Sequence, residues 1–155
     1  MLEVARSKPN SGRISFISSN IRVLPFPDNS FNLLTMSFAT RNINLSREIL
    51  IESFKEYYRV LEPGGRFINL ETSRPSSSLL SKCYDLYVRT FVEFIGSKIS
   101  GARGPYTYLA NTIPRFYPPG ELADIMKLAG FRNVTYNRLF FGIAAIHQGI
   151  KLQDN

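Results

Sequence analysis

Arg41 and Asn42 stand side by side. Glu71 and the chain's single histidine, His147, are the other side chains suited to charge or proton chemistry in a pocket. A guanidinium just past a buried strand can stabilise an oxygen that gains negative charge, and an adjacent carboxamide can hydrogen-bond it. The same two residues can equally form a salt bridge and cap the helix beyond. Glu71 has the chemistry of a base or a substrate contact, and also of a plain surface carboxylate. His147 lies between Ile146 and Gln148, where an isolated histidine is either a catalyst or a packed, hydrogen-bonded core residue. Cys83, flanked by Lys82 and Tyr84 on a helix, reads as packing. Gly64-Gly65 has the composition of a phosphate-cradling loop and, more simply, of a turn between helix and strand. One cysteine and one histidine exclude a zinc site built from clusters of those residues. A single cysteine also excludes an intrachain disulfide, and with it a disulfide-stapled secreted domain.

Positioning these residues falls to alternating strands and helices. Met1–Lys8 reads as the last turns of a helix, ended by Pro9, Asn10 and Gly12. Arg13–Ser18 alternates, with Ile14, Phe16 and Ser18 on one face, which predicts a strand. Pro25–Asn29 is a turn. Phe31–Phe38 is nearly continuously apolar, the pattern of a strand buried in a parallel sheet. Arg41 and Asn42 follow its end, where open α/β sheets place ligands. In Ser46–Leu61 the apolar residues Leu50, Phe54, Tyr57, Tyr58 and Leu61 recur at helical spacing, and Glu62-Pro63-Gly64-Gly65 stops the helix. Arg66–Thr72 is a strand that carries Glu71 near its end. Leu79–Ile95 is an amphipathic helix rich in tyrosine and phenylalanine, Gly96–Pro105 a loop, and Tyr106–Ile113 a short helix broken by Pro114, Pro118 and Pro119. Glu121–Ala129 is a helix with Gly130 as its C-terminal cap. Phe131–Phe140 and Ile143–Leu152 close the chain as an antiparallel hairpin. The alternation gives an α/β fold.

With 155 residues, 44% of them hydrophobic and 20% charged, the chain has the make-up of one globular domain, and a mainly disordered protein is excluded. The formal net charge is +7, but the basic residues are scattered with no long block, as on a solvated surface. No RRM, KH or zinc-knuckle signature supports a nucleic-acid partner. The N-terminal stretch holds Arg6, Lys8, Arg13 and Arg22 against Glu3 alone and is rich in serine, the bias of a mitochondrial transit peptide. The strand-like Arg13–Ser18 argues against that. No apolar run approaches the roughly 18 residues that a membrane span needs.

The motifs LPFPDNSF (Leu24–Phe31), SFATRN (Ser37–Asn42), YRVLEPGGRF (Tyr58–Phe67), LSKCYDLY (Leu80–Tyr87), YTYLANTI (Tyr106–Ile113), AGF (Ala129–Phe131) and GIAAIHQG (Gly142–Gly149) fall in order along the chain. Together they resemble the ubiquinone/menaquinone biosynthesis C-methyltransferases, class I enzymes that use S-adenosylmethionine. The resemblance covers essentially the whole chain. It implies an incomplete class I, Rossmann-like fold, a mostly parallel sheet with a C-terminal antiparallel hairpin, in which residues 1–155 are the C-terminal part of a single methyltransferase domain. It implies methyl transfer to a ring carbon of a prenylated quinol. Arg41, Asn42 and Glu71 are then the catalytic candidates, with Arg41 holding a developing oxyanion and Asn42 bonding a ring oxygen. Asn20 and Ile21 match positions that contact the adenine, and Ser37 one near the cofactor. Tyr84, Tyr87 and Tyr106 would line a greasy pocket for the prenyl tail, although aromatics at helical spacing are also plain core.

The resemblance has gaps. Met1-Leu2 corresponds to the start of the helix after the family's second strand, and no G-x-G-x-G occurs in the chain. The glycines that let backbone approach the cofactor, and the acid that binds its ribose, are therefore not in this sequence. Family acids before YTYL are replaced by Ala102 and Gly104. Sheet edges left open by missing strands call for a rearranged sheet, a homodimer, or a loosely attached N-terminal segment. A non-catalytic partner subunit in a biosynthetic complex, keeping only the substrate half of the fold, is the alternative expectation. The implied location is cytoplasmic with at most peripheral membrane contact, or mitochondrial in a eukaryote.

Overall fold

The computed structural model describes residues 2–9, 11–75, 77–88 and 116–153, together with positions 90 and 112. A short helix α1 (Leu2–Arg6) and a 3-10 turn (Ser11–Arg13) precede strand β1 (Phe31–Ser37). Then come α2 (Thr40–Ile43), α3 (Arg47–Val60), β2 (Leu61–Thr72) and α4 (Ser78–Tyr87). Helix α5 (Pro119–Leu128), β3 (Arg132–Leu139), a 3-10 turn (Phe140–Gly142) and β4 (Ala144–Ile150) complete the described chain.

The four strands form one mixed sheet in the order β1-β2-β4-β3. Strands β1 and β2 run parallel, while β4 pairs antiparallel with both β2 and β3. The parallel pair leaves the ends of β1 and β2 side by side, and the closing hairpin lies beyond them. Strand β2 begins earlier than its apolar pattern suggests. Glu62-Pro63-Gly64-Gly65 is an irregular step within it, marked by the register shift between Phe31 and Leu33 of β1. A Cβ on Gly65 would lie 2.8 Å from the Glu62 carbonyl oxygen and 3.2 Å from that of Phe31, so only glycine fits there.

Helix α3 starts where Ser46 accepts the Ile49 N–H on its hydroxyl at 3.3 Å. Its buried residues Leu50, Phe54 and Tyr57 return every three or four positions and pack onto Phe67 of β2. The Phe67 ring centroid lies 5.4 Å from Phe54, 5.3 Å from Tyr57 and 5.5 Å from Phe131. Helix α5 adds Leu122, Ile125 and Met126 to the same core. It ends in a Schellman motif: Gly130 (φ +112°) donates to Lys127 O and Phe131 to Met126 O. Arg59 of α3 ties the preceding turn down by bonding Asp28, Glu56 and the carbonyl oxygens of Phe26 and Leu24.

Arg13–Ser18 is not a strand. It is a 3-10 turn followed by irregular backbone, and Ile14 and Ile17 are 59% and 50% exposed. An alternating pattern becomes a strand only beside a partner that takes its backbone hydrogen bonds. Among the described residues β1 is the sheet edge, and no strand lies on its far side. The helix expected over Leu79–Ile95 is described as far as Tyr87, and the expected loop and short helix over 96–113 fall almost wholly outside the described residues.

Candidate active site

The site forms where the chain leaves β1 and β2. After Ser37 the backbone turns through Phe38 (φ +50°), whose N–H donates to Leu70 O at 2.8 Å. Helix α2 then lies across the end of β2. Thr40, fully buried, donates its hydroxyl to the Oδ1 of buried Asn69 at 2.7 Å, and this bond sets the position of Arg41 one residue on.

Glu71 is fully buried, not a surface carboxylate. Its Oε2 accepts the Arg41 backbone N–H at 3.1 Å. Its Oε1 accepts the Thr72 backbone N–H at 2.7 Å and the Thr72 hydroxyl at 2.9 Å. That hydroxyl in turn accepts from Arg41 Nη1 at 3.3 Å. The carboxylate is thus occupied by three donors, which suits holding Arg41 in place better than taking a proton from a ligand. Arg41 Nε is buried without a hydrogen-bond partner.

Tyr84 lies close enough to Arg41 for the guanidinium charge to act on its hydroxyl. Burial pushes the Tyr84 pKa up, and the Arg41 charge pulls it partly back. From there α4 sorts its residues onto two sides. Leu80, Cys83, Tyr84 and Tyr87 line an apolar groove of about 340 Å³ with Pro75 and Phe141. The groove is thus apolar, and the Arg41 charge acts on it through Tyr84, one of its lining residues.

The other expected residues lie as follows. Asn42 is exposed on α2 beside Arg41. Ser37 is exposed at the end of β1. Asn20 closes a turn, its Oδ1 accepting the Arg22 N–H at 3.0 Å, and Ile21 packs on the margin of the core. Tyr106 lies outside the described residues. His147 is buried, opposite Asn69 on β2 and Tyr136 on β3. Its Nε2 meets the Pro119 carbonyl oxygen at 2.9 Å, and burial lowers its pKa. It joins the sheet to the start of α5 and is not part of the Arg41 cluster.

Thr40, Asn69 and Thr72 belong to the site but were not singled out from the sequence. Of the three, Asn69 alone left a signal in the sequence: with Glu71 it puts polar side chains at alternate positions of β2 on the face that also carries Phe67. Among the described residues, no group of His, Cys, Asp or Glu forms a metal site, and no helix is long and apolar enough to cross a membrane. The described residues do not enclose a nucleoside cofactor by themselves. Asn20 spends its carboxamide oxygen on a turn, Ser37 lies on an open rim, and no glycine-rich backbone cradle occurs in the sequence.

A family model described as the ubiE/COQ5 methyltransferase family matches residues 1–151. A ubiquinone/menaquinone biosynthesis C-methyltransferase UbiE of Pseudomonas paraeruginosa is 42% identical over 156 aligned positions, covering 97% of this chain and 59% of its own. The protein of the same name from Methylobacterium nodulans is 40% identical, covering 98% of this chain and 60% of its own. This chain therefore spans about three fifths of the length of these curated relatives. Among solved structures, a Thermotoga maritima SAM-dependent methyltransferase, titled a possible histamine N-methyltransferase, superposes with a TM-score of 0.66 at 21% identity. It covers 97% of this chain and 69% of its own. A SAM-dependent methyltransferase of Methanosarcina mazei gives 0.61 at 24% identity, covering 98% and 76%. These likenesses show the fold.

Proposed function

The chain belongs to the ubiE/COQ5 methyltransferase family, and on that premise we propose that the protein transfers a methyl group to a ring carbon of a prenylated quinol in quinone biosynthesis. The methyl donor in this reading is S-adenosylmethionine, and residues 1–155 are the C-terminal part of one methyltransferase domain. The observation that carries it is Arg41, its backbone N–H held by Glu71 and its guanidinium by Thr72, with its charge acting on Tyr84 of the apolar groove.

A ring carbon becomes nucleophilic when a neighbouring phenol loses its proton, and a free phenol does so only near pH 10. A guanidinium close to the ring oxygen stabilises the phenolate and lowers that threshold. Arg41 supplies the charge, and its Nε is a buried donor without a partner. Glu71 is a positioning residue, since its two oxygens hold the Arg41 backbone and the Thr72 hydroxyl. Asn42, next on α2, is the candidate for a second hydrogen bond to the ring. Tyr84 and Tyr87 flank the tail, and the groove keeps water from it. The described residues do not by themselves fit the donor, so its polar recognition is not assigned to them.

The test is an assay of the protein at its natural length with a short-tailed demethyl quinol and methyl-labelled S-adenosylmethionine. Label on a ring carbon supports the reading. Label on oxygen, or none for a protein that binds both ligands, overturns it. A second reading is a non-catalytic partner that keeps the quinol-binding half. Quinol binding with no turnover at natural length would select it.

A further inference from the structure

A second cavity, of about 520 Å³, lies on the other side of α4 from the apolar groove. Ser81, Lys82 and Asp85 line the cavity, while Leu80, Tyr84 and Tyr87 line the groove. Successive residues of a helix turn by roughly 100°, so the two sets face opposite ways. The cavity is therefore separate from the groove, with Pro75 on the boundary of both. Its remaining walls are Arg74, just past β2, Arg138 near the end of β3, and Pro118 and Pro119 at the start of α5.

Charge is unbalanced there. Arg74, Lys82 and Arg138 line the cavity with Asp85 as the acid among the lining residues, a formal surplus of two positive charges. Arg74 is paired with Asp85 at 3.3 Å and lies 3.4 Å from the Ser81 hydroxyl. Neither Lys82 nor Arg138 has an ion pair among the described residues. Arg138 is stacked instead, its guanidinium carbon 5.4 Å from the centre of the Tyr136 ring, which restrains the fork before a ligand arrives. The start of α5 adds the positive end of a helix dipole, and the acid of its first turn, Glu121, is drawn to Arg47 at 3.5 Å.

The form of this charge selects the ligand. A carboxylate is planar, and one guanidinium fork satisfies it. Cations from three separate parts of the chain surround a volume instead, and suit a tetrahedral group whose oxygens point several ways. A phosphate ester carries a charge of about −1.5 to −2 at neutral pH, close to the surplus. A cavity of this volume takes a small organic molecule, not only an ion.

We propose that this cavity binds a small, soluble phosphate ester, with Lys82 and Arg138 on its phosphate and the proline walls against its organic part. The site faces away from the groove assigned to the quinol, so its occupancy is independent of the function proposed above.

Calorimetry on the protein at its natural length, with ribose 5-phosphate, inorganic phosphate, ribose and succinate as probes, tests the site. Ribose 5-phosphate should bind at one site per chain, inorganic phosphate more weakly, and ribose and succinate not measurably. Lys82→Gln and Arg138→Gln should each weaken ribose 5-phosphate by about tenfold or more, as the loss of a charge-assisted hydrogen bond does. Arg138→Lys should keep part of the affinity, since it retains the charge without the fork. Lys55→Gln, at an exposed lysine of α3, is the control and should change nothing, which separates the cavity from the general attraction of a chain of net charge +7. Circular dichroism checks the fold of each variant. The proposal is overturned if ribose 5-phosphate does not bind, if its affinity is indifferent to Lys82 and Arg138, or if Lys55→Gln weakens it as much. Succinate binding as tightly as the ester would overturn the choice of phosphate. Binding of phosphatidylglycerol vesicles through Lys82 and Arg138, with no soluble ester bound, would overturn the choice of a soluble ligand.

Discussion

Glu71 holds Arg41 at both ends. One carboxylate oxygen takes the Arg41 backbone N–H, and the other takes the Thr72 hydroxyl that receives the Arg41 guanidinium. A long side chain has rotamer freedom to lose, and this double hold removes part of it before any ligand arrives.

Arg41→Ala should lower kcat by about 100- to 1000-fold, the range for losing one oxyanion donor, and leave cofactor affinity nearly unchanged. Arg41→Lys should recover only part, since an ammonium keeps the charge without the planar fork. Steady-state kinetics and cofactor titration of the protein at natural length check both. Normal turnover by Arg41→Ala would remove the guanidinium from the chemistry.

Glu71 and Thr72 should separate stability from positioning. Glu71→Ala leaves buried donors of Arg41 and Thr72 without acceptors, at about 1–3 kcal/mol each, and should lower the melting temperature sharply. Thr72→Val keeps the volume and breaks only the bridge, so it should fold normally while kcat falls roughly 10- to 100-fold at little cost in KM. An unchanged kcat would show that the bridge does not position Arg41.

His147 sets a pH dependence of stability. Burial favours the neutral ring, so the folded pKa lies below the ordinary 6.5. Between those two values the unfolded chain binds more protons. The stabilisation is therefore complete above the ordinary pKa and is lost as pH falls toward the folded one, with a slope of at most about 1.4 kcal/mol per pH unit. Denaturant titrations across that window should give this slope for the protein, and a flatter one for His147→Gln. His147→Ala should melt earlier while the folded fraction keeps its rate. A dead but stably folded His147→Ala would put the imidazole in the chemistry.

The 155-residue chain should bind S-adenosylmethionine at millimolar strength or weaker. The hydrogen bonds of a glycine-rich loop and a ribose acid are worth roughly 0.5–3 kcal/mol each, and every 1.4 kcal/mol or so is tenfold in affinity. Calorimetry giving a micromolar Kd would reveal a cofactor cradle elsewhere in these residues.

Much of the fold was legible because local pattern and tertiary burial agree. Arg47–Val60 and the closing hairpin lie within a residue or two of where periodicity puts them, and Gly130 ends α5 as a glycine after a helix should. Phe31–Ser37 is a strand where expected, but it is an edge strand with Leu33 49% exposed and not one buried in a parallel sheet, because no neighbour among the described residues covers its far side. Arg13–Ser18 failed because alternation describes half a strand pair, and no strand among the described residues takes its backbone hydrogen bonds. Arg41 could be found from its place after a strand. The roles of Thr40, Asn69 and Thr72 could not, because each depends on a partner 29 to 31 residues away, or on a side chain that touches both ends of the site. Glu71 shows the same limit. Its type suggested a base, and only its three donors identify it as a strut.

The open side of β1 divides that strand's amides into two populations. Ser30 and Phe38 send their N–H groups to Val60 and Leu70, so by alternation Leu34 and Met36 also face β2, while Leu33, Thr35 and Ser37 face outward. In deuterated buffer the inward set should lose protons only when the sheet opens, and the outward set should exchange at nearly the speed of a free peptide. Any strand that docks on that edge, whether from the same chain or a second copy, slows the outward amides first. The isotope pattern of seven residues therefore reads out completion of the sheet directly.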